Sequence, residues 1–117
     1  MTGSRPSPAW WVGGIDPLRS QQAAQKRPYL EFLRSPSLSA GIYVLPAGAQ
    51  DPQKPHAQDE LYIVRDGDAT LEIAGERRRV GPGAVAFISA GVPHRFLDIR
   101  SGLVVLVVFA PPETEAV

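Results

Sequence analysis

Apolar and polar residues alternate in short blocks along most of the chain, and glycine or proline stands between nearly every pair of blocks. Period-two alternation bounded by turn residues is the signature of β-strands, because successive side chains of an extended chain point to opposite faces. Strands are predicted at residues 29–34, 38–45, 60–65, 69–73, 76–80, 84–88, 94–99 and 103–109. Asp66-Gly67 and Ala74-Gly75 stand where two-residue hairpin turns would close, and Gly81-Pro82-Gly83 and Gly91-Val92-Pro93 mark further corners. One stretch reads differently. Asp16-Pro17 has the form of a helix cap followed by a first helical residue, and residues 18–25 contain no breaker, so one short helix is expected to end before Pro28. About eight strands and one short N-terminal helix imply an all-β fold, an antiparallel double-sheet jelly-roll β-barrel, the arrangement that hides strand edges.

A length of 117 residues fits one domain with a core of its own. The expected division is a flexible leader at 1–14, the domain at 15–112 and a C-terminal tail at 113–117. Trp10 and Trp11 in the leader could pack on the domain or on a second subunit. Residues 103–109 are apolar on both faces, so that strand must be covered on each side by sheet or by a neighbouring subunit. A homodimer is expected, partly for this reason.

Lysine plus arginine and aspartate plus glutamate both number 12, giving no net charge. Neither nucleic acid nor a membrane surface is therefore an expected partner, since both attract a broad cationic field. Arg77, Arg78 and Arg79 read as the solvated face of a strand. The N-terminal residues lack the apolar run of a secretory signal, and the longest apolar run, 103–110, falls far short of the roughly 18 residues of a membrane span. A cytoplasmic location is expected. With no cysteine, any metal must be held by nitrogen and oxygen. No phosphate-cradling loop or serine-nucleophile signature is present.

Candidate chemistry gathers around the only two histidines, His56 and His94, each beside a turn at the start of a strand. If the chain is extended from 56 onward, His56, Glu60 and Tyr62 share one face, as do His94, Phe96 and Asp98. Two imidazoles and one carboxylate pointing inward form an open-sided triad suited to non-haem iron or a related divalent metal.

These residues resemble the cupin family. Its first motif, G-x5-H-x-H-x3-E-x6-G, is met by Gly48, Lys54, His56, Glu60 and Gly67, with lysine in place of the first histidine. Its second, G-x5-P-x-G-x2-H-x3-N, is met by Gly83, Ser89, Gly91, His94 and Asp98, with serine for proline and aspartate for asparagine. The resemblance covers about residues 38–110 and implies one divalent ion (Fe, Mn, Ni or Zn) held by His56, Glu60 and His94. It puts Lys54 where the remaining ligand of the family stands. Lys54 could turn away, could line the pocket as an acid, base or anion partner, or could replace the metal by pairing with Glu60. Lys54 and Tyr62 are the candidate catalytic groups, and Tyr43, Gln58 and Phe96 the candidate walls of a small-molecule pocket. The expected function is a metal-dependent enzyme of oxygenase or isomerase type, or alternatively a barrel that binds a small molecule or metal without turnover.

Overall fold

A computed structural model describes residues 7–114. Helix α1 (Ile15–Gln25) precedes six strands: β1 (Tyr29–Arg34), β2 (Ser39–Leu45), β3 (Asp59–Ile73), β4 (Glu76–Val80), β5 (Val85–Ile88) and β6 (His94–Ala110). All pairings are antiparallel, in the order β1-β2-β6-β3-β4, with β5 paired to β3 beside this path. The expected mostly-β class with one helix is present. The closed barrel is not, because the sheet stays open with β1 and β4 at its ends.

The strand count departs from expectation for one reason. Asp66-Gly67 is not a hairpin turn; residues 60–65 and 69–73 belong to the single long strand β3, just as 94–99 and 103–109 belong to β6. Pairing between these two strands shifts register between Val64 and Thr70, and there both bend. Gly67 has φ +105°, and a Cβ on it would lie 2.6 Å from the Gly102 carbonyl oxygen. Glycine is required at that crossing because nothing larger fits between the backbones. The bend turns the two halves of the sheet toward each other, and the Tyr62 ring on β3 stacks on Phe96 of β6 at 5.2 Å. Ala74-Gly75, by contrast, is a hairpin turn as expected, with φ of 51° and 82°.

Tyr43, Tyr62, Leu71, Phe96, Leu103, Val105, Val107 and Phe109 fill the interior. The opposite side of β2 and β6 is covered by α1, whose Leu18 packs on Ile42 and Val104. The two-faced apolar strand at 103–109 is therefore covered within the domain, each buried side chain contributing roughly 1.5–3 kcal/mol. Helix α1 starts at Ile15 with Gly14 as its N-cap, two residues before the expected start with Asp16 as cap and Pro17 as first helical residue. Trp11 packs on Phe32 of β1 at 5.1 Å, whereas Trp10 is exposed. No helix among the described residues is long and apolar enough to cross a membrane.

Candidate metal centre

Three elements deliver the triad. Glu60 is the second residue of β3, where Glu60, Tyr62 and Val64 all point inward. His94 opens β6, and His56 lies in the loop before β3. Backbone links hold the two motif segments together: Gly91 N–H donates to the His56 carbonyl at 2.7 Å, and Ala90 N–H donates to Asp59 Oδ1 at 2.9 Å. His56, Glu60 and His94 are all buried, with potential ligand atoms within 4.8 Å of one another.

The hydrogen bonds around the triad leave its centre short of a positive charge. His94 Nδ1 is 3.0 Å from the Val92 carbonyl, which can only accept, so this nitrogen carries the proton and Nε2 faces inward with its lone pair. That Nε2 lies 3.0 Å from Glu60 Oε1, and no arginine or lysine stands beside Glu60 among the described residues. A buried carboxylate whose only facing nitrogen belongs to a neutral imidazole is left without a compensating charge, which is costly. A divalent cation between Glu60 and the imidazoles removes that cost, and a nitrogen and oxygen donor set suits such an ion. The residues present therefore fit the metal that the motifs imply.

Burial works against the charged form of both imidazoles. Even so, both pKa values are raised, because Glu113 and Glu60 act on His56 and because Glu60, the Val92 carbonyl and Asp51 act on His94. Glu113 was not predicted. It lies in the segment assigned to the tail, yet it is buried, with its N–H donating to Ser39 Oγ at 2.9 Å and its carbonyl accepting from Arg34. Its Oε2 stands 2.8 Å from His56 Nδ1, a close ion-pair contact. A carboxylate behind a ligating histidine holds the proton on the nitrogen it faces, here Nδ1, leaves Nε2 free to ligate and orients the ring.

The remaining predicted residues divide. Tyr62 is buried beside the triad, its ring 5.9 Å from His94, and its phenol is pushed well above the usual range by burial and then by the charge of Glu60. Phe96 is buried under Tyr62. Tyr43 is buried and donates to Asp51 Oδ1 at 2.7 Å. Gln58 is buried but turned to Thr114 Oγ1, at 2.8 Å. Lys54 is exposed, and among the described residues no ion pair joins it to Glu60. Asp98 does not share the inward face of His94 and Phe96. At φ 48° it bulges outward, pairing with Arg79 and Arg100.

Two further residues escaped the sequence reading. Asp51 accepts from Tyr43 Oη, from the Phe96 N–H at 2.9 Å and from Gln53 Nε2 at 3.0 Å, fixing the loop to the interior. Gln53 reaches both His56 and Tyr62. The only signal of either was proximity to Lys54.

The family comparison agrees with this geometry. Residues 41–109 match the Cupin domain family model, and the chain belongs to that family. An uncharacterized protein of Streptomyces coelicolor is 47% identical over 100 residues, covering 86% of this chain and 95% of the relative. The dimethylsulfoniopropionate lyase DddQ of Ruegeria pomeroyi is 38% identical over 61 residues, which cover 51% of this chain but 30% of the lyase. Its crystal structure superposes with TM-score 0.64 at 27% identity over 71% of this chain and 47% of that one. The structure of KdgF from Halomonas sp. gives TM-score 0.65 at 24% identity over 71% and 76%, a likeness of fold.

Proposed function

We propose that this cupin is a metal-dependent enzyme acting on a small organic molecule, with one divalent ion held by His56, Glu60 and His94. One observation carries the metal reading: His56, Glu60 and His94, all buried, converge with potential ligand atoms within 4.8 Å of one another, and Glu60, 1% exposed, faces His94 Nε2 at 3.0 Å with no arginine or lysine beside it among the described residues. Bound there, the ion would supply Lewis-acid polarisation of a substrate oxygen. The chain's own groups would do the rest. Tyr62, hydrogen-bonded to Gln53 and kept protonated by burial and by Glu60, is placed to hold or deliver a proton at its hydroxyl. The apolar rings of Phe96 and Phe109 would exclude water from the centre. Kinship with a dimethylsulfoniopropionate lyase over half the chain supports proton-abstraction and elimination chemistry beside the oxygenase and isomerase types.

The alternative is a barrel that holds a small molecule or a metal without turnover. The two readings separate by assay of protein reconstituted with iron, manganese, nickel or zinc against oxygen and a panel of small acids, sugars and sulfonio compounds. Turnover that is abolished in Tyr62→Phe with metal retained supports the enzyme. Stoichiometric metal without turnover of any panel member supports the holding role. A homodimer in a cytoplasmic setting remains part of the proposal, with exposed Val85 and Phe87 on β5 as its candidate apolar contact.

A further inference from the structure

We propose that the apolar cleft between β4 and β5 is the substrate pocket of the metal centre, and that it takes a small molecule with an uncharged aliphatic body and an oxygen-bearing end turned toward the triad. The inference rests on the metal-centre reading above and adds what that reading leaves open, the class of molecule and the side chains that select it.

The cleft holds about 340 Å³, and Leu71, Ile73, Val80 and Ala86 form much of its lining. Ligand pockets run from roughly 300 to 1,000 Å³ and are mostly apolar, so this one suits a small guest. It exists because β4 and β5 pair with different stretches of β3, residues 69–73 and 60–63, with no ladder joining the two strands to each other. Ala86 keeps the seam open. Its methyl stands on the inward face of β5, where the next inward residue, Ile88, is buried.

Strand register fixes where this cleft lies. Directly opposed residues of antiparallel strands share a face, with Cβ atoms about 4.5–5.5 Å apart. Ile73 is opposite His94 and Leu71 is opposite Phe96, while Ala86 is opposite Tyr62. Three cleft residues are thus immediate neighbours of a triad histidine and of the Tyr62–Phe96 stack beside it, and the Tyr62 and His94 rings are 5.9 Å apart. The cleft opens next to the centre. Its charged lining residues, Glu76 and Arg78, are largely exposed and pair with each other at 3.3 Å. Arg78 Nη1 also donates to the Arg77 carbonyl at 3.0 Å. These charges are met at the solvent lip, so nothing along the apolar walls compensates a charge on a guest, and a charged body would lose its hydration without gaining a partner.

The test uses full-length, zinc-loaded protein and two hydroxamates with the same chelating head, acetohydroxamate and hexanohydroxamate. The longer one carries extra methylenes and is expected to bind at least about 10-fold tighter, because each buried methylene adds to affinity. 5-Aminopentanohydroxamate, of equal length but ending in an ammonium, is expected to lose that gain. Ala86→Phe, from the β5 wall, and Val80→Phe, from the β4 wall, are each expected to fill the cleft and abolish the preference for hexanohydroxamate, with zinc content and acetohydroxamate affinity unchanged. In metal-free protein, n-hexanol is expected to shift the Leu71 and Ile73 methyl resonances of wild type and to leave them unmoved in Ala86→Phe. Equal affinity of wild type for the two uncharged hydroxamates, or a preference that survives in both filled variants, would overturn the cleft assignment while leaving the metal centre intact. Filled variants that change only the oligomeric state would give the cleft to a second copy of the chain and overturn it likewise. A wild type that holds no zinc would overturn the metal-centre reading, and the cleft as an aliphatic site would then stand or fall with the hexanol shifts.

Discussion

Acidic side chains occur in two settings that differ in how their charge is met. On the outer face of the bent sheet, Glu72 lies between Arg77 and Arg95, each at 3.0 Å, and Arg79 serves Asp68 and Asp98. Inside, Glu60 has no arginine or lysine partner among the described residues and faces imidazole nitrogen instead. The outer carboxylates are already neutralised by the chain, in water that would screen them anyway. The inner one is not, and burial makes its charge costly. A cation is called for where the polypeptide supplies none, which is why the interior cluster, and not the more numerous exterior one, defines the centre.

The sharpest way to break this contrast is to remove an inner imidazole. His94→Ala and His56→Ala are each expected to reduce bound metal from one ion per chain to below about a tenth, at least a 10-fold loss, read by elemental analysis of folded, reconstituted protein. Next, Glu60→Gln is expected to abolish metal binding yet to stabilise the metal-free fold by about 1–3 kcal/mol at pH 8.5, since a buried charge with no arginine or lysine partner is gone. Chemical denaturation measures it, and a metal-free variant less stable than wild type at that pH would show that Glu60 is satisfied without an ion.

Protonation sharpens the contrast further. The folded pKa values of His56 and His94 lie above the ordinary 6.5, so their protonated forms contribute stability to the metal-free fold that is present below that value. It is lost as pH rises through the raised folded values. Metal needs the neutral rings, so its affinity moves the opposite way. Metal-free protein should therefore lose Tm from pH 6 to 9 while the Tm gain on adding metal grows, a pair of trends that differential scanning calorimetry would reveal.

Smaller effects follow. Glu113→Gln leaves an oxygen behind His56 but removes its charge, and is expected to weaken metal binding about 10-fold, read by competition with a chelator. At the far end of the scale, Arg79→Ala, 40% exposed, should cost no more than about 1 kcal/mol and leave metal affinity unchanged.

Much of this was legible in the residues, and the misses have physical causes. Strands at 29–34 and 76–80 were bounded by turn residues and appear with those limits. Asp66-Gly67 misled because a tight turn and a bend in a continuous strand ask for the same thing, a residue free to take positive φ. Only the approach of Gly102, distant in sequence, decides between them. The same kind of distance hid Asp98, whose bulge breaks the alternation after Phe96. His56, Glu60 and His94 could be read because motif spacing and strand parity act locally. Gln53 and Glu113 could not: one sits in an irregular loop with no period, and the other follows Pro111-Pro112 and enters the interior only because Arg34 and Ser39 hold its backbone.

Anomalous scattering from crystals of the reconstituted protein, collected above and below the absorption edge of the loaded metal, is expected to show one peak per chain, about 2.0–2.3 Å from His56 Nε2, His94 Nε2 and a Glu60 oxygen. An interior without such a peak, with Glu60 paired to protonated imidazoles alone, would contradict it.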